Sequence, residues 1–164
     1  MEFINNNTIR LDKEINELDR FVLKFIKILE KHSDYVIISG YVSILLGRSR
    51  TTEDIDIFIK PMDKGTFTEL YQEFLKNGFW CLNSERVDEI YSYLQERLAV
   101  RFALNRQTTP NFEVKFAAKA LDMESFTDRI AVETGLGRLY ISSLERQIVF
   151  KRYYLKSDKD IEDA

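Results

Sequence analysis

Two aspartates separated by one residue are the side chains in this sequence best placed for chemistry. Asp54 and Asp56 belong to the apolar segment DIDIFI at 54–59. Because side chains alternate faces along a strand, both carboxylates would project from one face, with Cα atoms about 7 Å apart. Two acids on an otherwise apolar strand need a cation, and Mg²⁺ is often held by one or two carboxylates together with substrate phosphates. A solvated edge strand is the alternative, and the Asp-x-Asp motif by itself favours it.

A turn upstream of the aspartates is suited to binding phosphate. Ser39 and Gly40 lie between a predicted buried strand and a predicted short helix. Such a junction offers backbone N–H groups and a helix N-terminus to an anion, and Gly40 permits a close approach. Arg50 could pair with a phosphate or with Glu53. A tight turn in which glycine only relieves crowding is the alternative.

A third carboxylate lies on a strand predicted over residues 111–117. Apolar residues occupy alternate positions there, and Glu113 and Lys115 face the other way. Glu113 could join the two aspartates in a two-metal site, and Lys115 could neutralise phosphate charge. Equally, the two could be solvent-facing neighbours whose pairing contributes little stability. Both interpretations are open, and we predict metal binding by Glu113.

Helices and strands in mixed order must position these groups. The sequence predicts strands over 35–39, 54–59, 98–104 and 111–117, helices over 41–46, 63–76, 84–95 and 119–130, a hairpin over 131–141, and a last helix from Ser142 or Ser143 to about 155. Apolar residues at steps of three and four predict an amphipathic N-terminal helix over about 11–31. The fold class is α/β (α+β), a short mixed twisted sheet flanked by helices. We expect one domain over 1–164, with the N-terminal helix to 31, the core carrying the carboxylate strands over 35–117, and C-terminal helices and a hairpin over 119–164.

The composition is typical of a soluble globular protein and narrows the chemistry. The 164 residues are 45% hydrophobic and 31% charged, with a single cysteine, Cys81, and a single histidine, His32. These counts argue against disulfides, His-rich metal sites and Ser-His-Asp chemistry. We find no signal-peptide pattern and no apolar run of the ~20 residues that a membrane span needs, so we expect a cytoplasmic protein without membrane contact.

The charges are unevenly placed. The net charge of -3 argues against a protein that coats nucleic acid through bulk charge. Basic residues nevertheless dominate two segments, 97–119 and 146–159. They could be two solvated faces, or they could form a rim around a triphosphate or RNA.

The stretch Ser39–Ile59 resembles the signature of the polymerase β-like nucleotidyltransferase superfamily. In that signature a strand and a small-residue turn lead through a short helix to an Asp-x-Asp strand. The segments LGR at 46–48, RT at 50–51 and EDID at 53–56 are similar to minimal single-domain bacterial and archaeal members. ISSLERQIVFK at 141–151 and KDIED at 159–163 resemble the ending of those proteins, which include nucleotidyltransferase toxins of abortive-infection toxin–antitoxin systems. The resemblance covers about residues 35–164.

The resemblance implies roles for the residues that match the family motifs. It implies metal binding by Asp54, Asp56 and Glu113, phosphate binding by Ser39 and Gly40, and nucleotide binding or catalysis by Lys151 and Asp160. Arg50, Thr51 and Lys115 complete the expected nucleotide-binding set. The chain departs from the family pattern in having Ser39 where a first glycine is usual, and Glu113 where aspartate is more common.

Together, the residues and the resemblance predict a Mg²⁺-dependent nucleotidyltransferase. It would move a nucleoside monophosphate from an NTP to an acceptor hydroxyl, with two Mg²⁺ ions about 3.5–4 Å apart. The resemblance implies a tRNA or a protein as acceptor and a cognate toxin or antitoxin as possible partner, and we expect a monomer or homodimer. The alternative is a catalytically inactive nucleotide- or partner-binding module on the same fold. A third reading is a toxin–antitoxin component that uses the apolar stripe Leu11–Leu29 as its interface.

Overall fold

A single nine-stranded sheet organises the chain. The computed structural model describes residues 2–38, 40–46, 53–143 and 145–146. Their elements, in chain order, are β1 (Glu2–Asn5), β2 (Thr8–Arg10), α1 (Glu17–Leu29), β3 (Tyr35–Ile38), α2 (Gly40–Leu45), β4 (Asp54–Ile59), α3 (Lys64–Lys76), β5 (Phe79–Cys81), α4 (Val87–Gln95), β6 (Val100–Leu104), β7 (Asn111–Phe116), α5 (Ala120–Thr127), β8 (Ile130–Thr134) and β9 (Gly137–Ile141). The strand order is β1-β2-β8-β9-β3-β4-β7-β6-β5. Pairing is parallel for β2/β8, β3/β9 and β4/β7 and antiparallel elsewhere. The predicted mixed sheet flanked by helices is therefore confirmed.

The first face of the sheet carries the main core, which is rich in aromatic rings. Phe25 of α1 is fully buried there, with its ring stacked on Phe112 at 3.9 Å and on Phe74 at 4.4 Å between centroids. Alternate residues of the central strands, including Ile55 and Ile57, point into the same core. α1, α3 and α4 all contribute buried side chains to this core.

The second face is covered differently. α5 packs a smaller apolar cluster onto β3 and β4; its buried members are Val36, Phe58, Ala117 and Phe126. The positions of β4 and β7 that precede this cluster carry polar side chains. The acidic residues singled out from the sequence lie on this second face.

Several predicted elements form as expected, and in each case the residues that determine them are close together in the sequence. The strand over 54–59 and the hairpin over 131–141 form as expected. α3 begins where Asp63 accepts a hydrogen bond from the Thr66 backbone N–H at 2.7 Å, which satisfies a donor that the first turn leaves unpaired. α3 is followed by Gly78 with a φ of 85°, a left-handed backbone that glycine adopts without strain.

The predicted extent of the first helix is wrong. α1 begins at Glu17, because Asn16 and Asp19 form a reciprocal capping box that stops the helix on its N-terminal side. Leu11 is buried instead at the edge of β8, where its N–H donates to the Glu133 carbonyl at 2.9 Å. The apolar residues of α1 are either buried in the core of their own chain or, like Leu18 and Phe21, partly buried against it. The stripe Leu11–Leu29 is therefore not available as a partner interface.

Three strands were not predicted from the sequence. β1 and β2 form a hairpin, and β2 joins the sheet through parallel pairing with β8, more than a hundred residues away in the chain. β5 is an edge strand of three residues beside β6. The helix predicted from Ser84 begins at Val87, because the Ser84 hydroxyl accepts the Arg86 N–H in a turn before it.

The predicted last helix can be followed only at its start. The Arg146 N–H donates to the Ser143 hydroxyl at 3.2 Å, as expected of a capping serine. Residues 147–164 lie outside the described residues. Within the described ranges, the longest helices fall short of the length and apolar character that crossing a membrane requires.

Candidate active site

The parallel pairing of β4 with β7 decides which acids share a face. Asp54 lies opposite Asn111, and Asp56 lies opposite Glu113. Paired residues of adjacent strands project from the same face of a sheet, about 4.8 Å apart. Asp56 and Glu113 are therefore neighbours on the second face, and Asp54 lies on the same face two residues earlier in β4. Asp54 is exposed, whereas Asp56 and Glu113 are half-buried.

Glu113 has a partner that the sequence analysis did not identify. Arg101 of β6 lies directly opposite Glu113, and its Nη2 is 2.6 Å from Glu113 Oε1. This ion pair is partly shielded, since the Glu113 side chain is only 22% exposed. The sequence predicts the strands over 98–104 and 111–117 but not their register, so the contact could not be foreseen.

The donor set suits Mg²⁺ in part. Asp54 and Asp56 supply the carboxylate oxygens that Mg²⁺ takes alongside phosphate oxygens. Among the described residues, no group of three or more His, Cys, Asp or Glu side chains could hold a metal ion, and metal binding by Glu113 stays a prediction. Asp54 and Asp56 are therefore the residues that would hold the ion together with a bound phosphate.

Lys115 occupies the same face as the acids. It pairs in register with Phe58, two residues along β7 from Glu113. Its side chain is half-buried. Its position places a cation beside the carboxylates on the side towards β6.

A buried hydrogen-bond network holds the start of α2. Gly40 is the first residue of α2, and Tyr41, which follows it, is fully buried. The Tyr41 hydroxyl donates to Asp19 Oδ1 at 2.7 Å, and Lys13 Nζ is 3.0 Å from Asp19 Oδ2. Burial, followed by the hydrogen bond to the carboxylate, raises the pKa of Tyr41 far above its usual value, so the hydroxyl stays a donor. The network ties the start of α2 to the N-terminus of α1.

Five predicted site residues lie outside the described residues: Ser39, Arg50, Thr51, Lys151 and Asp160. The two basic segments are partly neutralised where they are described. Arg101 pairs with Glu113, and Arg146 Nη2 lies 2.6 Å from Asp128 Oδ2. The hydrogen bond to Asp128 raises the pKa of Arg146, whose role here is to join the C-terminal segment to α5.

Comparison with solved structures identifies the fold. The chain is similar to the crystal structure of an antigenic nucleotidyltransferase-like protein from Paracoccidioides brasiliensis, with a TM-score of 0.57 and 19% sequence identity. The match covers 88% of this chain and 71% of that protein. No protein-family model and no curated protein matches the sequence. The architecture is thus nucleotidyltransferase-like.

Proposed function

We propose that this protein is a Mg²⁺-dependent nucleotidyltransferase that transfers a nucleoside monophosphate from an NTP to an acceptor hydroxyl of an RNA or a protein. The observation that carries the proposal is the register of β4 and β7, which makes Asp56 and Glu113 neighbours on one face with Asp54 beside them. The nucleotidyltransferase-like fold supports the same class of reaction. Membership of a toxin–antitoxin pair is part of the proposal and rests on the sequence resemblance alone.

Each residue has a definite task in this reaction. Asp54 and Asp56 would hold Mg²⁺, which when bound would supply Lewis-acid stabilisation of the charge that develops on the phosphate and the leaving pyrophosphate. Glu113 lies beside Asp56 on the opposite side from β3 and is placed to accept the proton of the acceptor hydroxyl. Lys115 contributes positive charge near the phosphates.

The turn after β3 would hold the triphosphate tail. Gly40 begins α2, and the Tyr41–Asp19 hydrogen bond keeps the start of α2 in place without using either residue in the chemistry. Ser39, Arg50 and Thr51 are proposed as further phosphate ligands on the strength of the resemblance, and so are Lys151 and Asp160 for the nucleotide.

One observation favours the alternative of an inactive nucleotide- or partner-binding module. The 2.6 Å ion pair between Arg101 and Glu113 engages the carboxylate that would have to receive a proton. The arginine therefore competes with the acceptor hydroxyl for the same carboxylate oxygens. A module that binds nucleotide without turnover would keep this pair permanently.

Substitution of Asp56 separates the two functions. Asp56→Asn keeps the size of the side chain and removes its charge, so we expect transfer of label from NTP to RNA or protein to fall at least ~100-fold. The assay incubates the protein with Mg²⁺, each labelled NTP in turn, and total RNA or total protein. Asp12→Asn, at an exposed position before α1, is the matched control and should retain full transfer.

Two results would contradict the proposed enzymatic activity. Transfer by Asp56→Asn at the wild-type rate would show that this carboxylate does not hold the metal. NTP binding by calorimetry, with no transfer to any acceptor class by the wild type, would favour the inactive module.

A further inference from the structure

The outer strands of the sheet carry a second polar surface next to the carboxylates. Along β5, alternate residues divide between the faces: Phe79 and Cys81 enter the main core, whereas Trp80 points to the second face. Trp80 pairs in register with Ala103 of β6, which is fully buried and belongs to neither apolar cluster. Trp80 therefore lies beside a small side chain on the face that bears Asp56.

Two cations share this surface with the ring. Arg101 lies between β5 and Glu113, and its side chain is 51% exposed even though it pairs with Glu113. Lys115 lies one step along the same face of β7. Among the described residues, none of the carboxylates lies within ion-pair distance of Lys115. We call Trp80, Ala103, Arg101 and Lys115 the β5–β7 platform.

The ring of Trp80 is held in one orientation. Its Nε1–H donates to the Gln107 carbonyl at 2.9 Å, in the loop between β6 and β7. The same loop accepts a hydrogen bond at the Thr108 carbonyl from the Asn111 side chain, at the start of β7. A ring fixed in this way loses little freedom when a flat group stacks on it.

The chemistry of the platform matches one class of partner. Trp80 is half-buried, so part of its ring reaches the surface. A sheet face with a partly exposed aromatic ring and interspersed Arg and Lys side chains is suited to single-stranded nucleic acid, whose bases stack and whose phosphates pair with the cations. The platform is continuous with the carboxylates, since β5 and β7 are two strand spacings apart, about 10 Å. A protein acceptor has neither bases to stack on the ring nor a row of phosphates to pair with the two cations.

We propose that the β5–β7 platform binds the single-stranded end of a nucleic acid and presents its terminal hydroxyl to Asp56 and Glu113. This inference rests on the proposed function and names its acceptor. Trp80 stacks one base, Lys115 pairs with a phosphate, and Arg101 pairs with Glu113 on one side and a phosphate on the other.

Direct binding tests the platform without any chemistry. Ten-nucleotide RNA and DNA strands of mixed sequence are titrated into the protein without NTP or Mg²⁺, by fluorescence anisotropy of a terminal dye. Trp80 is the only tryptophan of the chain, so its own fluorescence reports stacking when unlabelled strands are used. We expect quenching at the same concentrations at which anisotropy rises. The RNA and DNA arms show which sugar the surface accepts.

Single substitutions test the cations. Arg101→Ala and Lys115→Ala should each weaken binding and lower the slope of log affinity against log salt by about 0.7, the value for one phosphate contact to a single strand. Arg20→Ala on α1 and Lys76→Ala on α3 remove exposed cations from the helical side of the sheet and should change neither quantity. Trp80→Leu should weaken binding roughly five- to 150-fold, whereas Trp80→Phe should retain most of it.

The outcomes separate this inference from the proposed function. Binding that leaves Trp80 fluorescence unchanged, or that survives both Arg101→Ala and Lys115→Ala, would overturn the platform, and so would the absence of binding. If transfer then still occurred to a protein hydroxyl, the proposed function would stand alone. Conversely, platform binding with no transfer by the wild type would keep the platform as a strand-binding surface and would reject both the enzyme and the presentation of a terminal hydroxyl to it. Asp56→Asn should bind strands as the wild type does.

Discussion

The buried hydrogen bond between Tyr41 and Asp19 makes a sharp prediction about stability. Tyr41→Phe removes only the hydroxyl and leaves the fully buried ring in place. Asp19 then loses one donor at 2.7 Å but keeps the Asn16 N–H at 3.2 Å and the Lys13 ammonium at 3.0 Å. The loss should therefore report a single hydrogen bond to a charged acceptor.

The size of the effect follows from the charge and the burial of the acceptor. A hydrogen bond to a charged group contributes about 1.5–3 kcal/mol net, so we expect Tyr41→Phe to lower the free energy of unfolding by about 2 kcal/mol. In a chain of this length that corresponds to a fall in Tm of about 4–8 °C. Asp19→Ala should cost about 3–5 kcal/mol, because it also breaks the capping box and leaves the Tyr41 hydroxyl buried without an acceptor.

Urea denaturation of the wild type, both single variants and the double variant Tyr41→Phe/Asp19→Ala measures the coupling directly. The double variant should lose about 2 kcal/mol less than the sum of the singles, because the bond can be removed only once. Tyr93→Phe is the matched control: its hydroxyl donates to Glu89 at 2.6 Å on the surface of α4, and its removal should leave the denaturation midpoint nearly unchanged. Additive losses, or a Tyr41→Phe variant as stable as the wild type, would refute the reasoning.

Three further predictions concern the core, a turn and a cap. Phe25→Ala should lower the free energy of unfolding, measured in urea, by about 3–5 kcal/mol, since the ring is fully buried between two others. Phe3→Ala, at a 56% exposed position, should change it little, and equal losses for the two variants would contradict this packing. Gly78→Ala should lower the free energy of unfolding by about 1 kcal/mol, because its φ of 85° strains an L-residue although nothing crowds the site. Gly135→Ala, at a position with an ordinary φ, should lower it by less in the same assay. The Thr66 backbone N–H lowers the pKa of the Asp63 carboxyl below its ordinary 3.8, so the cap stabilises α3 above pH 3.8 and this contribution is lost as pH falls through the lowered pKa. The Tm of Asp63→Ala should accordingly lie below that of the wild type at pH 7 and approach it in acid, and a constant difference down to pH 2 would count against the cap.

The parts of the fold that could be predicted from the sequence are those whose cause is local. Asp63 and Gly78 bracket α3 because a cap and a left-handed glycine act within one turn of the helix. β4 could be recognised because its faces alternate over six residues. In each case the deciding interaction lies within a few residues of the element it defines.

The errors arise where a distant partner overrides a local pattern. Leu11 continues the helical spacing of α1, yet its N–H pairs with Glu133, so the residue joins the sheet rather than the helix. Asn16 and Asp19 did carry a usable signal, since a capping pair three residues apart marks a helix start. β2 had no such signal, because its hydrogen bonds depend on β8 at the other end of the chain.

The candidate site also combines features set by local sequence with features set by distant strands. Alternation along β4 is enough to place Asp54 and Asp56 on one face, whereas the neighbourhood of Glu113 depends on two registers, one with β4 and one with β6. A shift of one residue in either would turn Glu113 away from Asp56 or replace Arg101 with an apolar neighbour, because the faces of a strand alternate with a period of two. The pairing that puts Glu113 beside Asp56 therefore also puts Arg101 beside Glu113. For this reason a single pair of strand registers underlies both the proposed catalysis and the ion pair that argues against it, and the strength of the Arg101–Glu113 pair when NTP and acceptor are bound decides between them.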